Sequence, residues 1–221
     1  MIATLQNQPG PWTFPFITEY WDGNSGITIT GQGVSSWVPV KGTNSFTQGT
    51  DGARPTYSGG VLTLNGTDEF LQATFDAPSA STVFLAVNQI TWTGNDTIWS
   101  STGGATEDDW NIFQNSATPQ IALFAGSTAA SNGGLAVGTF GILAATFNVA
   151  SSALQMNLGT PTTGNPGAVT GTGVSIGSNG AGTSNFANIS LKGAGYSDSA
   201  LTAGQIEQMV WSMAARYGIT F

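Results

Sequence analysis

Three tryptophans, Trp92, Trp99 and Trp110, stand within a few residues of Asn95, Asp96 and Asn111. That grouping suits a shallow glycan site, in which a sugar ring stacks on an aromatic face while amides and carboxylates bind its hydroxyls. The same tryptophans also read as core packing, because such large side chains are highly buried on average. Next to Trp110 lies the run Glu107, Asp108 and Asp109, the one real carboxylate cluster. Glycosidic cleavage needs two carboxylates flanking the bond, placed by a strand at a spacing of two. No such run exists. Asp68 and Glu69 are adjacent and would leave a strand on opposite faces. A solvated acidic loop accounts for residues 107–109.

The chain contains no cysteine and no histidine. Disulfides, thiol nucleophiles, histidine bases and the usual zinc sites are therefore all excluded. Calcium is the one metal the inventory permits, since it takes carboxylate and carbonyl oxygens. Asp22 with Asn24, or Glu107 with Asp108 and Asp109, supply such oxygens, although turn chemistry explains the same residues. No phosphate-binding glycine motif is present, so no nucleotide cofactor is expected.

Only 7% of the 221 residues are charged, and the net charge is −8. The cations are Lys41, Arg54, Lys192 and Arg216. Four dispersed cations cannot neutralise a run of phosphates, which argues against nucleic acid and against an anionic membrane surface. The first ten residues lack the basic and apolar blocks of a secretory leader. The expectation is a chain that is mature as written, or one that reaches the outside within a released virus particle.

These residues must be positioned by short strands. Thr, Val, Gly and aromatics dominate where a helical protein would use Ala, Leu, Glu and Lys. Strand-like runs at 26–30, 36–40, 61–64, 70–75, 81–91, 96–100, 110–114, 120–125, 139–148, 153–158, 174–177 and 188–194 are separated by turn residues. Within 81–91, Val83, Leu85 and Val87 share one face and Phe84 and Ala86 the other. Leu154, Met156 and Leu158 likewise share a face. The stretches 126–134 and 159–173 read as glycine-rich loops. One helix is expected at the C-terminus. Thr202 is its N-cap, Gln205 completes a capping box, Leu201 and Ile206 form a staple, and Gly218 is the stop. Its apolar stripe is Ile206, Met209, Val210, Met213 and Tyr217. These patterns predict an all-β sandwich or barrel closed by one helix.

Residues 1–18 form a separate N-terminal segment, before a domain at 19–221. Pro9, Pro11 and Pro15 favour an extended chain there, with Trp12, Phe14 and Phe16 on one face. Those three aromatics either complete the domain's own core or dock against a neighbouring subunit by strand addition.

Several segments, in order, resemble the laminin-G-like, concanavalin-A-like jelly-roll modules of bacteriophage structural proteins and bacterial surface proteins. They are Trp21-Asp22-Gly23, Trp37, Asp51-Gly52-Ala53-Arg54-Pro55-Thr56-Tyr57, and Leu64-Asn65-Gly66-Thr67-Asp68-Glu69-Phe70-Leu71. The closing part adds residues 188–191, Tyr196-Ser197-Asp198, Leu201-Thr202 and the stretch from Ile206 to Gly218. The resemblance implies an antiparallel jelly-roll β-sandwich with one C-terminal helix. It implies a non-enzymatic virion surface protein, a capsid decoration or a tail or fibre component, that contacts other virion proteins. A homo-oligomer, such as a trimer, and a cell-surface glycan are the further partners it suggests. A bacterial lectin-like module is the alternative, and a glycoside hydrolase on the same fold the third reading.

Overall fold

The computed structural model describes residues 10–103 and 110–221. Seventeen strands and one helix follow one another along these residues. The first six are β1 (Glu19–Asp22), β2 (Ile27–Thr30), β3 (Gly33–Trp37), β4 (Phe46–Thr47), β5 (Thr56–Ser58) and β6 (Val61–Asn65). The middle of the chain gives β7 (Leu71–Ala73), β8 (Ser81–Gln89), β9 (Thr97–Thr102), β10 (Asn111–Gln114), β11 (Ile121–Phe124) and β12 (Thr128–Asn132). Then come β13 (Phe140–Phe147), β14 (Ser152–Met156), β15 (Thr162–Gly164), β16 (Gly173–Ile176), β17 (Asn188–Ser197) and the helix α1 (Ala203–Tyr217).

Two antiparallel sheets result, and together they make a jelly-roll β-sandwich. One runs β15-β14-β13-β8-β17-β6-β5, with β1 added beside β17. The other runs β12-β11-β10-β9-β16-β7-β4-β3-β2. The main core fills the space between them and includes Trp21, Trp37, Phe46, Val83, Leu85, Val87, Trp99 and Trp110. A second core lies on the outer face of the first sheet, where Phe84, Ala86, Ile142 and Ala144 meet α1. Strand β8 therefore buries both faces, as its alternation requires.

Helix α1 forms as its sequence dictates. Thr202 accepts from the Gln205 N–H, the capping box is complete, and Gly218 closes the helix at φ 62°. Met209, Val210 and Met213 are fully buried in the second core. Tyr217 lies over Gly193, where an added Cβ would come within 2.0 Å of the phenol oxygen. No described helix is long and apolar enough to cross a membrane.

Three expectations need correction. The stretches expected to be loops contain β12 and β15, both of which pair with neighbours; pairing and packing override the low intrinsic preference of Gly-rich sequence. The face shared by Leu154, Met156 and Leu158 breaks because β14 ends at Met156, and Leu158 packs against the second core. The N-terminal segment, over residues 10–18, is bent rather than extended. Pro11 opens a 3-10 turn at Pro11–Thr13, and Ile17 N–H closes another turn onto Phe14 O at 3.2 Å around Pro15. Proline's fixed φ suits the start of a turn as well as it suits a strand. Ile17 is buried in the second core, and Trp12, Phe14 and Phe16 pack against it.

Candidate functional site

The second sheet has a regular outer face. One row crosses all nine strands in register: Thr28, Ser36, Thr47, Gln72, Ser175, Ser100, Asn111, Phe124 and Thr128. The neighbouring inward row contains Trp37, Phe46, Leu71, Ile176, Trp99, Ile112 and Leu123, all in the main core. Strand alternation alone thus separates a polar surface from an aromatic interior.

The middle of the polar row is covered by the loop between β16 and β17. Ser175 Oγ and Ser178 Oγ lie 2.8 Å apart, and Gln72 Nε2 donates to Gly180 O at 2.7 Å. Gly180 presses against the sheet so closely that a Cβ there would meet Ser101 O at 2.1 Å. The Asn179 side chain organises the loop by accepting from Thr183 N–H at 2.8 Å and Ser184 N–H at 3.2 Å. The loop's last turn then reaches β9, where Thr97 N–H donates to Asn185 O at 2.8 Å.

Beyond this loop the face opens into a cleft of about 430 Å³, lined by Asn95, Thr97, Asn111, Phe113, Phe124, Thr128 and Asn185. That volume falls in the ~300–1,000 Å³ range of small-molecule sites. Asn111 and Phe113 leave β10 on the side opposite buried Ile112, and Phe124 stands opposite Asn111 on β11. Asn95 (φ 76°) and Asn185 (φ 55°) hold left-handed backbone conformations, which asparagine adopts more readily than most residues. Asn95 N–H donates to Gln114 O at 2.7 Å, so its loop is anchored. Two side-chain oxygens of lining residues, Thr97 Oγ1 and Asn111 Oδ1, are buried without a hydrogen-bond partner among the described residues. Such orphans call for an explanation in a folded protein.

The structure brings Asn95 and Asn111 to this cleft and separates them from the other expected glycan contacts. Trp99 and Trp110 are at most 1% exposed. Trp99 packs on Phe46 at 5.9 Å and Trp110 on Phe147 at 4.7 Å between ring centroids. Neither offers a face to a sugar, because both lie in the main core. Trp92 is half-buried and donates its indole N–H to Gln120 O at 3.4 Å. Asp96 lies between two lining residues without lining the cleft; burial raises its carboxyl pKa, against a hydrogen bond from Thr93. Phe113, Phe124, Thr97, Thr128 and Asn185 join the cleft although their places in the sequence do not by themselves single them out. The alternation Asn111-Ile112-Phe113 carried a signal for Phe113; Asn185 carried none, since only the folded loop brings it to β9.

The calcium candidates fare differently. Asp22 is 1% exposed, and its Oδ2 receives Arg216 Nη2 at 2.5 Å. Its Oδ1 accepts from Asn24 N–H at 3.1 Å and from Tyr217 O–H at 3.3 Å. The carboxylate is thus committed to a guanidinium and a turn, which corrects its reading as a cation ligand with Asn24. Glu107, Asp108 and Asp109 lie outside the described residues. No group of three potential metal-ligating side chains occurs among the described residues. Trp12, Phe14 and Phe16, expected as candidates for partner docking, are half-buried against this domain's own second core. Phe14 and Phe16 stack at 5.1 Å, and Arg216 lies 5.3 Å from the Trp12 ring.

No family model matches the chain, and no curated protein matches it. Solved structures do share its fold. Trypanosoma rangeli sialidase superposes with a TM-score of 0.68 at 10% identity, over 92% of this chain and 34% of the sialidase chain. This chain therefore spans about a third of that enzyme's length. The binding domain of botulinum neurotoxin serotype G gives a TM-score of 0.61 at 11% identity, over 90% of this chain and 51% of that one. Domain 4 of AbnA, an extracellular GH43 arabinanase from Geobacillus stearothermophilus solved with arabinotriose, gives 0.59 at 14% identity, over 88% of this chain and 98% of that one. At these identities the likeness is one of fold, a β-sandwich of the kind found in these proteins.

Proposed function

We propose that this chain is a non-enzymatic saccharide-binding module that uses the cleft formed by β9 to β12 and the β16–β17 loop. The observation that carries the reading is the convergence of three asparagines and two phenylalanines on one cleft. Amide groups and a ring face are what sugar hydroxyls and the apolar side of a pyranose require. The fold is shared with domain 4 of an arabinanase solved with arabinotriose and with a sialidase solved with sialic acid. The non-enzymatic reading is supported by the described lining residues, none of which is a carboxylate that could serve as acid, base or nucleophile.

The biological setting we propose is the surface of a bacteriophage particle, as a capsid decoration or a tail or fibre component. It rests on the ordered segments from Trp21 to Gly218 that resemble such modules. An accessory glycan-binding module of a bacterial surface protein is the second reading, favoured by the near-complete overlap with domain 4 of the arabinanase. Mass spectrometry of purified particles from a producing lysate decides between the two settings. For the function itself, a glycan array is the test. Binding that is lost in Asn111→Ala and Phe124→Ala, both folded and with no reducing sugar released, supports the module; hydrolysis of any bound polysaccharide overturns its non-enzymatic character.

A further inference from the structure

We infer that the cleft selects uncharged saccharides and rejects those bearing carboxylate or sulfate groups; this rests on the saccharide-binding reading above. Tight recognition of a carboxylate or sulfate is most commonly built on a cation, ordinarily a forked guanidinium, within hydrogen-bond reach. The chain has four Lys and Arg side chains in all, and each is committed elsewhere. Arg54 donates to Asp51 and to the carbonyls of Thr30, Gln48 and Gly49. Arg216 is paired with Asp22. Lys41 donates to Phe14 O at 2.7 Å. Lys192 donates to Tyr217 O at 3.1 Å and lies 4.6 Å from the Phe140 ring centroid. None of the four lines the cleft, and none of the described lining residues carries charge.

A helix N-terminus is the other common anion site, and α1 is no candidate. Its first turn is closed by the Thr202 and Gln205 side chains, and its residues are not among those lining the cleft. Charge beyond the cleft adds to the exclusion. Asp96 sits between the lining residues Asn95 and Thr97, and the molecule as a whole carries −8. An approaching carboxylate therefore loses its hydration with no cation among the described lining residues to offset its charge. A neutral ring loses less, since its hydroxyls both donate and accept and so match the amides of Asn95, Asn111 and Asn185. The selectivity runs opposite to that suggested by the sialidase likeness, a contrast that follows from side chains and not from fold.

Matched pairs of oligosaccharides that differ by one acidic group test this on the full chain. Lactose with 3′-sialyllactose and xylotriose with its glucuronosyl derivative are titrated calorimetrically, alongside the strongest neutral array ligand and its acidic counterpart. The neutral member should bind, and its acidic partner should bind at least about tenfold more weakly, a difference of ~1.4 kcal/mol. Neutral binding should change little between about 0.05 and 0.5 M salt, because no ion pair is screened. Thr128→Arg, at an exposed position on the cleft rim, should recover binding of the acidic member. Tighter binding of the acidic member by the unaltered protein overturns the selectivity and leaves saccharide binding standing. Failure of Thr128→Arg to recover it also overturns the charge account, since shape would then be the cause. Absence of binding by every pair and by the array overturns both readings together.

Discussion

Arg216 and Asp22, 194 positions apart in sequence, meet at 2.5 Å and tie the end of helix α1 to strand β1. The Asp22 side chain is 1% exposed and the Arg216 side chain 36%. Burial works against the Arg216 charge, but the Asp22 carboxylate outweighs it and raises the arginine's pKa. Tyr217 and Tyr20 complete the cluster through a 2.7 Å contact between their hydroxyls, and burial drives both phenols far above their ordinary range. Arg216→Ala leaves a buried carboxylate without its cation, and should cost about 2–4 kcal/mol. For a chain of this length that lowers Tm by roughly 5–15 °C, measurable by differential scanning calorimetry. An unchanged Tm would mean that Tyr217 and Asn24 satisfy Asp22 unaided.

Met209 is fully buried where α1 meets β8 and β13. Met209→Asp places an unpaired charge in that core and should destabilise by several kcal/mol. Glu207, exposed on the same helix, serves as the control, and Glu207→Ala should shift stability by less than about 0.5 kcal/mol. Chemical denaturation of the two variants checks the contrast. Equal midpoints would show that the second core does not hold the helix.

Deletion of residues 1–17 removes buried Ile17 and the aromatic cover of Trp12, Phe14 and Phe16 over the second core. The truncated chain should lose stability and expose apolar surface, seen as aggregation or dye binding. A stable, monodisperse product that no longer assembles with its neighbours would instead make the segment a docking arm.

Stability should rise on mild acidification. Burial raises the Glu69 carboxyl pKa, with the Asn65 N–H opposing and Asp68 adding to the shift. Burial raises Asp96 as well, against a hydrogen bond from Thr93. A carboxyl whose pKa is higher folded than unfolded takes up its proton first in the folded state. Its contribution to stability therefore grows as pH falls through the folded pKa and is lost as pH rises. Self-repulsion at −8 acts in the same direction. Tm at about pH 5.5 should exceed Tm at about pH 7.5, and Glu69→Gln should flatten the difference. A Tm that falls over this interval contradicts the assignment.

Much of the fold is legible in the sequence because β8 and α1 obey simple periodicities. Val83, Leu85 and Val87 enter one core while Phe84 and Ala86 enter the other. Strand β1 leaves no such mark: all four of its residues are buried, so no alternation exists to be read. The site was half legible. Asn95 and Asn111 stand beside Trp99 and Trp110 in sequence, but the fold buries both tryptophans in the main core and brings Phe113 and Phe124 to the cleft instead. Trp99 pairs with Ile112 on the inward row and Ser100 with Asn111 on the outward row. Without that register the sequence cannot tell which neighbours share a face.

Saccharide binding is proposed for the cleft of Asn95, Asn111, Phe124 and Asn185. Isothermal titration of the strongest array ligand into the native chain, Phe124→Ala and Trp92→Ala measures it directly. Loss of the ring face in Phe124→Ala should weaken binding by about tenfold or more, on the scale of ~1–1.5 kcal/mol for an aromatic contact, with Tm little changed because Phe124 is only partly buried. Trp92, outside the cleft, should tolerate replacement with affinity intact. Unaltered affinity in Phe124→Ala together with loss in Trp92→Ala would contradict the assignment and move the site to the β8–β9 loop.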